Sequence, residues 1–389
     1  MSRPIVIAAG GTGGHFFPAE ALATELARRG HPLVLMTDTR AGQRLHGVFA
    51  DAEQHVLRGA GIAGHGMSRK LGGALALARG TLAARRILFR LRPAAVVGFG
   101  GYPSVPPLLG ARLLGRSRPV IVLHEGNAVL GQANAQLARF ADAIATSFGT
   151  VARLPAGART VLTGMPVRAE IAAAAHSPYP AADGSLRLLV WGGSLGARVF
   201  SDVVPQTLAA LPDALRTRLV VTQQARAEDV ARVQAAYASA GIQAEIAPFL
   251  DDVARRLVDS HLVIGRAGGS SVAELAMVGR PSVTVPLPIA ASDEQGANAE
   301  SLVGAGAGWM LRQPEFTPAA LGSLLTALLS QPSRLAAAAD AAARLGRHDA
   351  AGALADLVEA TLTNPRDQSL RSHDGEAIPD RDMNREMPA

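Results

Sequence analysis

Ile5-Val6-Ile7-Ala8-Ala9-Gly10-Gly11-Thr12-Gly13-Gly14-His15 is the stretch that decides the fold. Its five apolar residues read as a short strand buried on both faces. The glycines that follow sit where a strand turns into a helix. With no Cβ there, a ligand's phosphates can approach bare backbone N–H groups at a helix N-terminus. A tight turn alone needs fewer glycines, and needs neither Thr12 nor His15. The apolar pattern places the following helix from about Pro18 to Arg29. A dinucleotide fingerprint would require G-x-G-x-x-G, but counting from Gly11 the sixth position is Phe16, so it fails.

The same sentence is written again in the second half as Val190-Trp191-Gly192-Gly193-Ser194-Leu195-Gly196-Ala197. Ser194 can donate a hydroxyl hydrogen bond to a phosphate. A third turn, Gly98-Phe99-Gly100-Gly101-Tyr102-Pro103, follows an apolar run at 94–98. Further strands are expected at 32–36, 119–124 and 141–146, then, after a break near Gly164-Met165-Pro166, at 186–191, 219–222, 244–247, 262–265 and 282–286. Short apolar strands alternating with helices predict parallel sheets covered on both faces. The chain thus reads as α/β, with two Rossmann-like halves facing a cleft.

A length of 389 residues exceeds what one core usually holds, which agrees with two domains. There is no cysteine, which excludes disulfides, thiolate metal sites and cysteine nucleophiles, and fits a reducing compartment. The net charge of +6 is carried mainly by arginine. It reflects either an arginine- and alanine-rich composition in general or attraction to an anionic surface. The first apolar run is too short for a signal peptide, and no run reaches the ~18–20 residues of a spanning helix. A cytoplasmic protein is expected. The tail from about Thr363 lacks periodic apolar residues and is expected to be disordered.

Polar residues cluster just after several strands. His124-Glu125-Gly126-Asn127 is a plausible site edge, with Asn127 as a helix cap the alternative. Arg266-Ala267-Gly268-Gly269-Ser270-Ser271-Val272-Ala273-Glu274 has a glycine turn suited to a diphosphate, and an acid able to accept two ribose hydroxyls. The alternative is a capping box from Ser270 or Ser271 to Glu274. Ser292-Asp293-Glu294-Gln295 could grip sugar hydroxyls or lie in a solvated loop.

Taken together, these motifs, with Gly-x-Pro-Val-Arg at 164–168, resemble the MurG family of UDP-N-acetylglucosamine:undecaprenyl-diphospho-muramoylpentapeptide N-acetylglucosaminyltransferases. The resemblance runs in order from about residue 5 to 360. It implies the GT-B glycosyltransferase fold, with an N-terminal acceptor and membrane-docking domain over 1–164 and a C-terminal UDP-GlcNAc-binding domain over 165–348. A last helix at about 350–362 would return to the first domain, ahead of the tail 363–389. It implies inverting transfer of GlcNAc from UDP-GlcNAc to the muramoyl 4-hydroxyl of lipid I, giving lipid II.

By matching position, the donor contacts are Thr12, Gly13, Gly14, Asn127, Arg168, Ser194, Leu250, Gly269, Ser270, Ser271, Val272, Ala273, Glu274 and Gln295. The acceptor side holds Gly100, Gly101, Tyr102, His124 and Asn134. Asn298 also matches a family position. Where the family often has Gln after the serine of the second glycine turn, this chain has Leu195.

Inversion needs a base, for which His15 is the first candidate and Glu125 the second. No Asp-x-Asp occurs in the cleft motifs, so no bound metal and no cofactor are expected. Lipid I is membrane-anchored, so a docking surface is required. The segment 65–92 interleaves Arg79, Arg85 and Arg86 with apolar residues such as Phe89, the composition of an interfacial helix. The expected partners are UDP-GlcNAc, lipid I, the anionic inner membrane at its cytoplasmic face and other cell-wall synthesis proteins, with no nucleic acid. Rival readings are another UDP-sugar enzyme of this fold (a glycolipid glycosyltransferase or a UDP-GlcNAc epimerase), a nicotinamide oxidoreductase and a non-catalytic binding protein.

Overall fold

A computed structural model describes residues 3–10, 13–39, 46–57, 67–181, 184–193, 196–288 and 292–363. Thr12, Ser194, Leu195 and the tail beyond Thr363 lie outside them. The first half contains β1 (Ile5–Ala8), β2 (Leu33–Asp38), β3 (Glu53–Leu57), β4 (Ala95–Gly98), β5 (Val120–Glu125), β6 (Ala143–Thr146) and β7 (Thr160–Leu162). The second contains β8 (Leu186–Trp191), β9 (Leu219–Gln224), β10 (Gln243–Ala247), β11 (Leu262–Gly265), β12 (Ser282–Thr284) and β13 (Gly308–Met310).

Strand order is β3-β2-β1-β4-β5-β6-β7 in one sheet and β10-β9-β8-β11-β12-β13 in the other. The pairs on either side of β1 and β8 are parallel. In each sheet the order reverses beside the first strand, between β1 and β4 and between β8 and β11. Open α/β sheets bind ligands at that switch point.

Alternate residues of β1 enter different cores, as a pleated strand covered on both faces demands. Ile5 and Ile7 pack with Phe16, Leu22 and Leu26, while Val6 and Ala8 pack with Leu88, Val105 and Leu108. The helix Ala350–Thr363 adds Leu354, Leu357 and Val358 to the first of these clusters. Its surface is tied there by Arg29, which donates to Asp356 and Glu359, and by His31 against Glu359. The chain therefore crosses between the sheets twice, at Thr163–Met165 and again at Gly346–Asp349.

The first helix spans Gly13–Arg28, beginning five residues before the expected Pro18. Helical geometry starts on the glycines themselves, and Pro18 lies inside the helix. Proline has no N–H, so the carbonyl four residues earlier, on Gly14, receives no helical hydrogen bond. That carbonyl instead accepts a hydrogen bond from Ser270 Oγ of the other domain, at 3.2 Å.

Three strands escaped the sequence reading: β3, β7 and β13. All three are edge strands, and most of their residues are only partly buried. They carry less of the apolar signal that marks strands buried on both faces.

Candidate active site in the interdomain cleft

Parallel register aligns the glycine turns. Ala8 pairs with Gly98, and Gly98 with Leu123, so the turns after β1, β4 and β5 emerge side by side. Opposite them, Gly265 pairs with both Trp191 and Thr284, which gathers the turns after β8, β11 and β12. The two sets face each other across the cleft.

His15 is half-buried on the first turn of its helix. Gly101 holds φ +66, and a Cβ there would lie 3.4 Å from His15 Nε2. The third glycine turn thus forms the seat of the imidazole, and Tyr102 beside it is exposed. Desolvation lowers the His15 pKa below its ordinary 6.5, partly offset by a hydrogen bond to the Phe99 carbonyl and by the charge of Glu294. His15 is therefore neutral near pH 7 and able to accept a proton. Glu294 comes from the second domain, and no local pattern in the sequence links it to His15.

Glu125, the second candidate base, is placed differently. It is 2% exposed. One oxygen accepts from the Asn127 backbone and side chain at 3.0 and 3.2 Å, and the other from Gly131 N and Asn134 Nδ2 at 2.9 and 2.8 Å. Burial pushes its pKa up, and these four donors pull it down. A carboxylate so occupied organises the loop 125–134, a placement that favours His15 over Glu125 as the base.

His124 and Asn134, expected on the acceptor side, are both buried. His124 stacks on Phe99 with centroids 5.2 Å apart, and its Nε2 lies 3.3 Å from both Gly164 O and Ser147 Oγ. Desolvation drops its pKa to about 4, so it is neutral. Asn134 donates to His124 O as well as to Glu125. Both residues support the cleft wall from behind, Gly100 is buried against Asn134, and of the expected acceptor set only Gly101 and Tyr102 reach the surface.

Across the cleft, Gly269–Val278 is a helix whose N-terminal turn holds Gly269, Ser270 and Ser271. Gly269 sits so close to the first domain that a Cβ would fall 1.9 Å from Gly126 O. Asn298 completes the closure. It accepts from Ala128 N at 2.7 Å and donates to Asn127 Oδ1 and Ala267 O, both at 3.0 Å. Nothing in the sequence gives Asn298 a role beyond its matching position, because its three partners are distant in the chain.

Glu274 is 3% exposed and held by Arg168, whose Nε and Nη2 donate to its two oxygens at 3.1 and 3.2 Å. Arg168 also lies over the Phe17 ring, 5.0 Å from its centroid. Desolvation raises the Glu274 pKa, and Arg168 opposes the rise. The structure brings the two expected donor residues together, but as an ion pair. Ribose hydroxyls reaching Glu274 must share it with Arg168 or displace it.

Val272 and Leu250 are buried in the core beneath this helix. Gln295 Oε1 accepts from Leu287 N at 3.0 Å and ties down the loop after β12. Gln224, unremarked in the sequence, accepts from Gly192 N and donates to Pro248 O, so it braces the second glycine turn. A polar residue at the carboxyl end of a strand was the available signal. Among the described residues, no group of three His, Asp or Glu could hold a metal ion.

Two parallel-sheet domains with glycine turns facing across a cleft form the GT-B architecture, and the family matches make it that of a glycosyltransferase. The chain matches the glycosyltransferase family 28 N-terminal domain over residues 5–146 and the family 28 C-terminal domain over 187–354. It is 63% identical over 363 residues to the UDP-N-acetylglucosamine--N-acetylmuramyl-(pentapeptide) pyrophosphoryl-undecaprenol N-acetylglucosamine transferase of Gluconobacter oxydans, covering 93% of this chain and 100% of that protein. The same enzyme of Granulibacter bethesdensis is 57% identical, with 94% and 95% covered. The crystal structure of Acinetobacter baumannii MurG superposes with a TM-score of 0.74 at 31% identity, covering 92% of this chain and 99% of that one. The chain belongs to the MurG family of glycosyltransferase family 28.

Proposed function

We propose that this chain works docked on an anionic membrane surface, with His15 as the base of an inverting transfer. The reaction follows from the family: GlcNAc passes from UDP-GlcNAc to the muramoyl 4-hydroxyl of lipid I, giving lipid II for peptidoglycan synthesis. The acceptor oxygen attacks the GlcNAc anomeric carbon while the bond from that carbon to the UDP phosphate oxygen breaks on the opposite face. The acceptor proton goes to the His15 imidazole, and UDP leaves with the bonding pair.

The observation that carries this reading is the seat of His15, a neutral imidazole against Gly101 at the cleft. The negative charge of Glu294 favours the imidazolium formed after proton uptake. The diphosphate is met by the N-terminus of Gly269–Val278 and by Arg168. No step requires a divalent ion, so turnover should persist in a chelator. Incubation with UDP-GlcNAc and a lipid I analogue should yield the disaccharide product. A chain that hydrolyses or epimerises UDP-GlcNAc instead would overturn the assignment.

Docking falls to the helix Met67–Leu91. Its inner face buries Ala84 and Leu88, while Leu75, Leu82 and Phe89 point outward at 51%, 50% and 61% exposure. Their spacing of seven residues keeps them on one face, at about 100° per residue. Arg79, Arg85 and Arg86 are exposed around that stripe, and Arg85 also donates to Leu113 O. Among the described residues no helix is long and apolar enough to cross a membrane. The stripe suits interfacial contact, with each basic residue adding about 1 kcal/mol near an anionic surface. Replacing Arg79, Arg85 and Arg86 with Gln should weaken co-sedimentation with anionic vesicles at low salt. Activity on a water-soluble acceptor should survive. Equal sedimentation would place docking elsewhere.

A further inference from the structure

Both crossings between the domains line one cavity of about 660 Å³, within the range of small-molecule sites. Thr163, Gly164 and Met165 of the first crossing form one side, and Arg347 and His348 of the second form another. The crossings touch here. Gly164 holds φ +84, and a Cβ on it would meet the Arg347 side chain at 2.8 Å. The third wall is the helix Gly269–Val278, through Gly269, Val272, Ala273, Ala276 and Met277, and the first three of these, expected as donor contacts, line this cavity too. Glu274 projects from another face of that helix, toward Arg168.

The chemistry of the lining is asymmetric. Its floor is apolar, with Met165, Val272, Ala276 and Met277. Its rim carries Arg344 and Arg347, both exposed, and neither has an ion-pair or hydrogen-bond partner among the described residues. Asp349 is the one acid of the lining. His348 adds no cation. Its ring stacks on His176 at 4.0 Å, its Nδ1 faces Met277 Sδ at 3.1 Å, and burial followed by the His176 charge lowers its pKa.

We propose that this hinge cavity is a second ligand site, taking a small amphipathic anion whose apolar body fills the floor and whose charge meets Arg344 and Arg347. An occupant touches both crossings and the back of the helix that carries the donor residues. It therefore favours the arrangement that forms the cavity, in which Arg168 holds Glu274. UDP binding is weakened in turn, by linkage between two sites. The linkage rests on the donor site proposed above, and titration of UDP alone tests that site separately.

The test uses 2-naphthalenesulfonate, an aromatic monoanion, titrated into the full chain by calorimetry. One molecule should bind per chain. Arg344→Glu with Arg347→Glu should weaken it about tenfold, and Ala353→Phe, which narrows the cavity from the last helix, should weaken it further. Thermal melts establish that both variants fold. At saturating probe the apparent Kd for UDP should rise about three- to tenfold and then level off, as coupling requires. Probe affinity unchanged in both variants would overturn the site. A UDP Kd that climbs without limit would mean one shared site, and a UDP Kd that never moves would overturn the coupling. If UDP alone fails to bind, the donor assignment falls, while the variant comparison still decides the cavity.

Discussion

Glu125 and Glu274 are both buried carboxylates at the cleft, with pKa values pushed up by desolvation, yet their partners differ in kind. Glu125 is held by four N–H donors from residues 127–134 of its own loop. Glu274 is held by one guanidinium from 106 residues away, on the segment that joins the domains. Four neutral donors close in sequence fix a loop for as long as the domain is folded. One long-range cation, which also lies over Phe17 of the other domain, can be exchanged for a ligand. The first domain presents a prebuilt wall, and the second a carboxylate whose one partner a ligand would share or displace.

The sharpest way to break this contrast is Glu125→Ala. It leaves several buried donors without an acceptor, at about 1–3 kcal/mol each and less than additive in sum. A loss of about 3–5 kcal/mol in urea unfolding is expected, with Glu125→Gln milder because its carbonyl still accepts. A folded Glu125→Ala that loses only turnover would return Glu125 to the role of base.

His15→Ala comes next. The melting temperature should hardly change, while turnover on a lipid I analogue should fall by about a hundredfold or more. The pH profile sharpens this. A base must be neutral, and the His15 pKa is lowered from 6.5, so activity should persist as pH falls through 6.5 and be lost only further down. An acid limb above 6.5 would contradict the desolvated seat.

The smallest effect is expected at Glu274. Glu274→Ala should weaken UDP by about 1–3 kcal/mol in calorimetry. Unchanged affinity in a folded variant would place the ribose elsewhere. Arg168→Ala probes the other half of the pair: it removes the competitor for Glu274 but also a cation for the diphosphate. A loss larger than that of Glu274→Ala would mean the diphosphate contact dominates.

Much of this architecture was legible in the sequence because central parallel strands are apolar throughout, as at 5–9 and 94–98. The strands β3, β7 and β13 were not, since edge strands are only partly covered and lack that signature. At the site, glycine turns announced themselves, because only a required close approach explains so many glycines. The partnerships did not. That Asn298 would bridge to Asn127 depends on how the two domains meet, and that Arg168 would occupy Glu274 and Glu125 would turn into its own loop depends on how each domain folds back on itself. No local pattern encodes such meetings.

Pro18 has a consequence for alignment. Along an ordinary helix every interior carbonyl is already engaged by the residue four positions on. A partner sliding along that surface finds no acceptor to prefer over the next. The proline leaves a single lone-pair site, on Gly14, and Ser270 finds it from across the cleft. It works as an index mark, so that a slip of one residue puts the serine opposite a carbonyl with its helical bond already made. Replacing Pro18 by Ala would erase the mark while strengthening the helix, trading precision between domains for regularity within one.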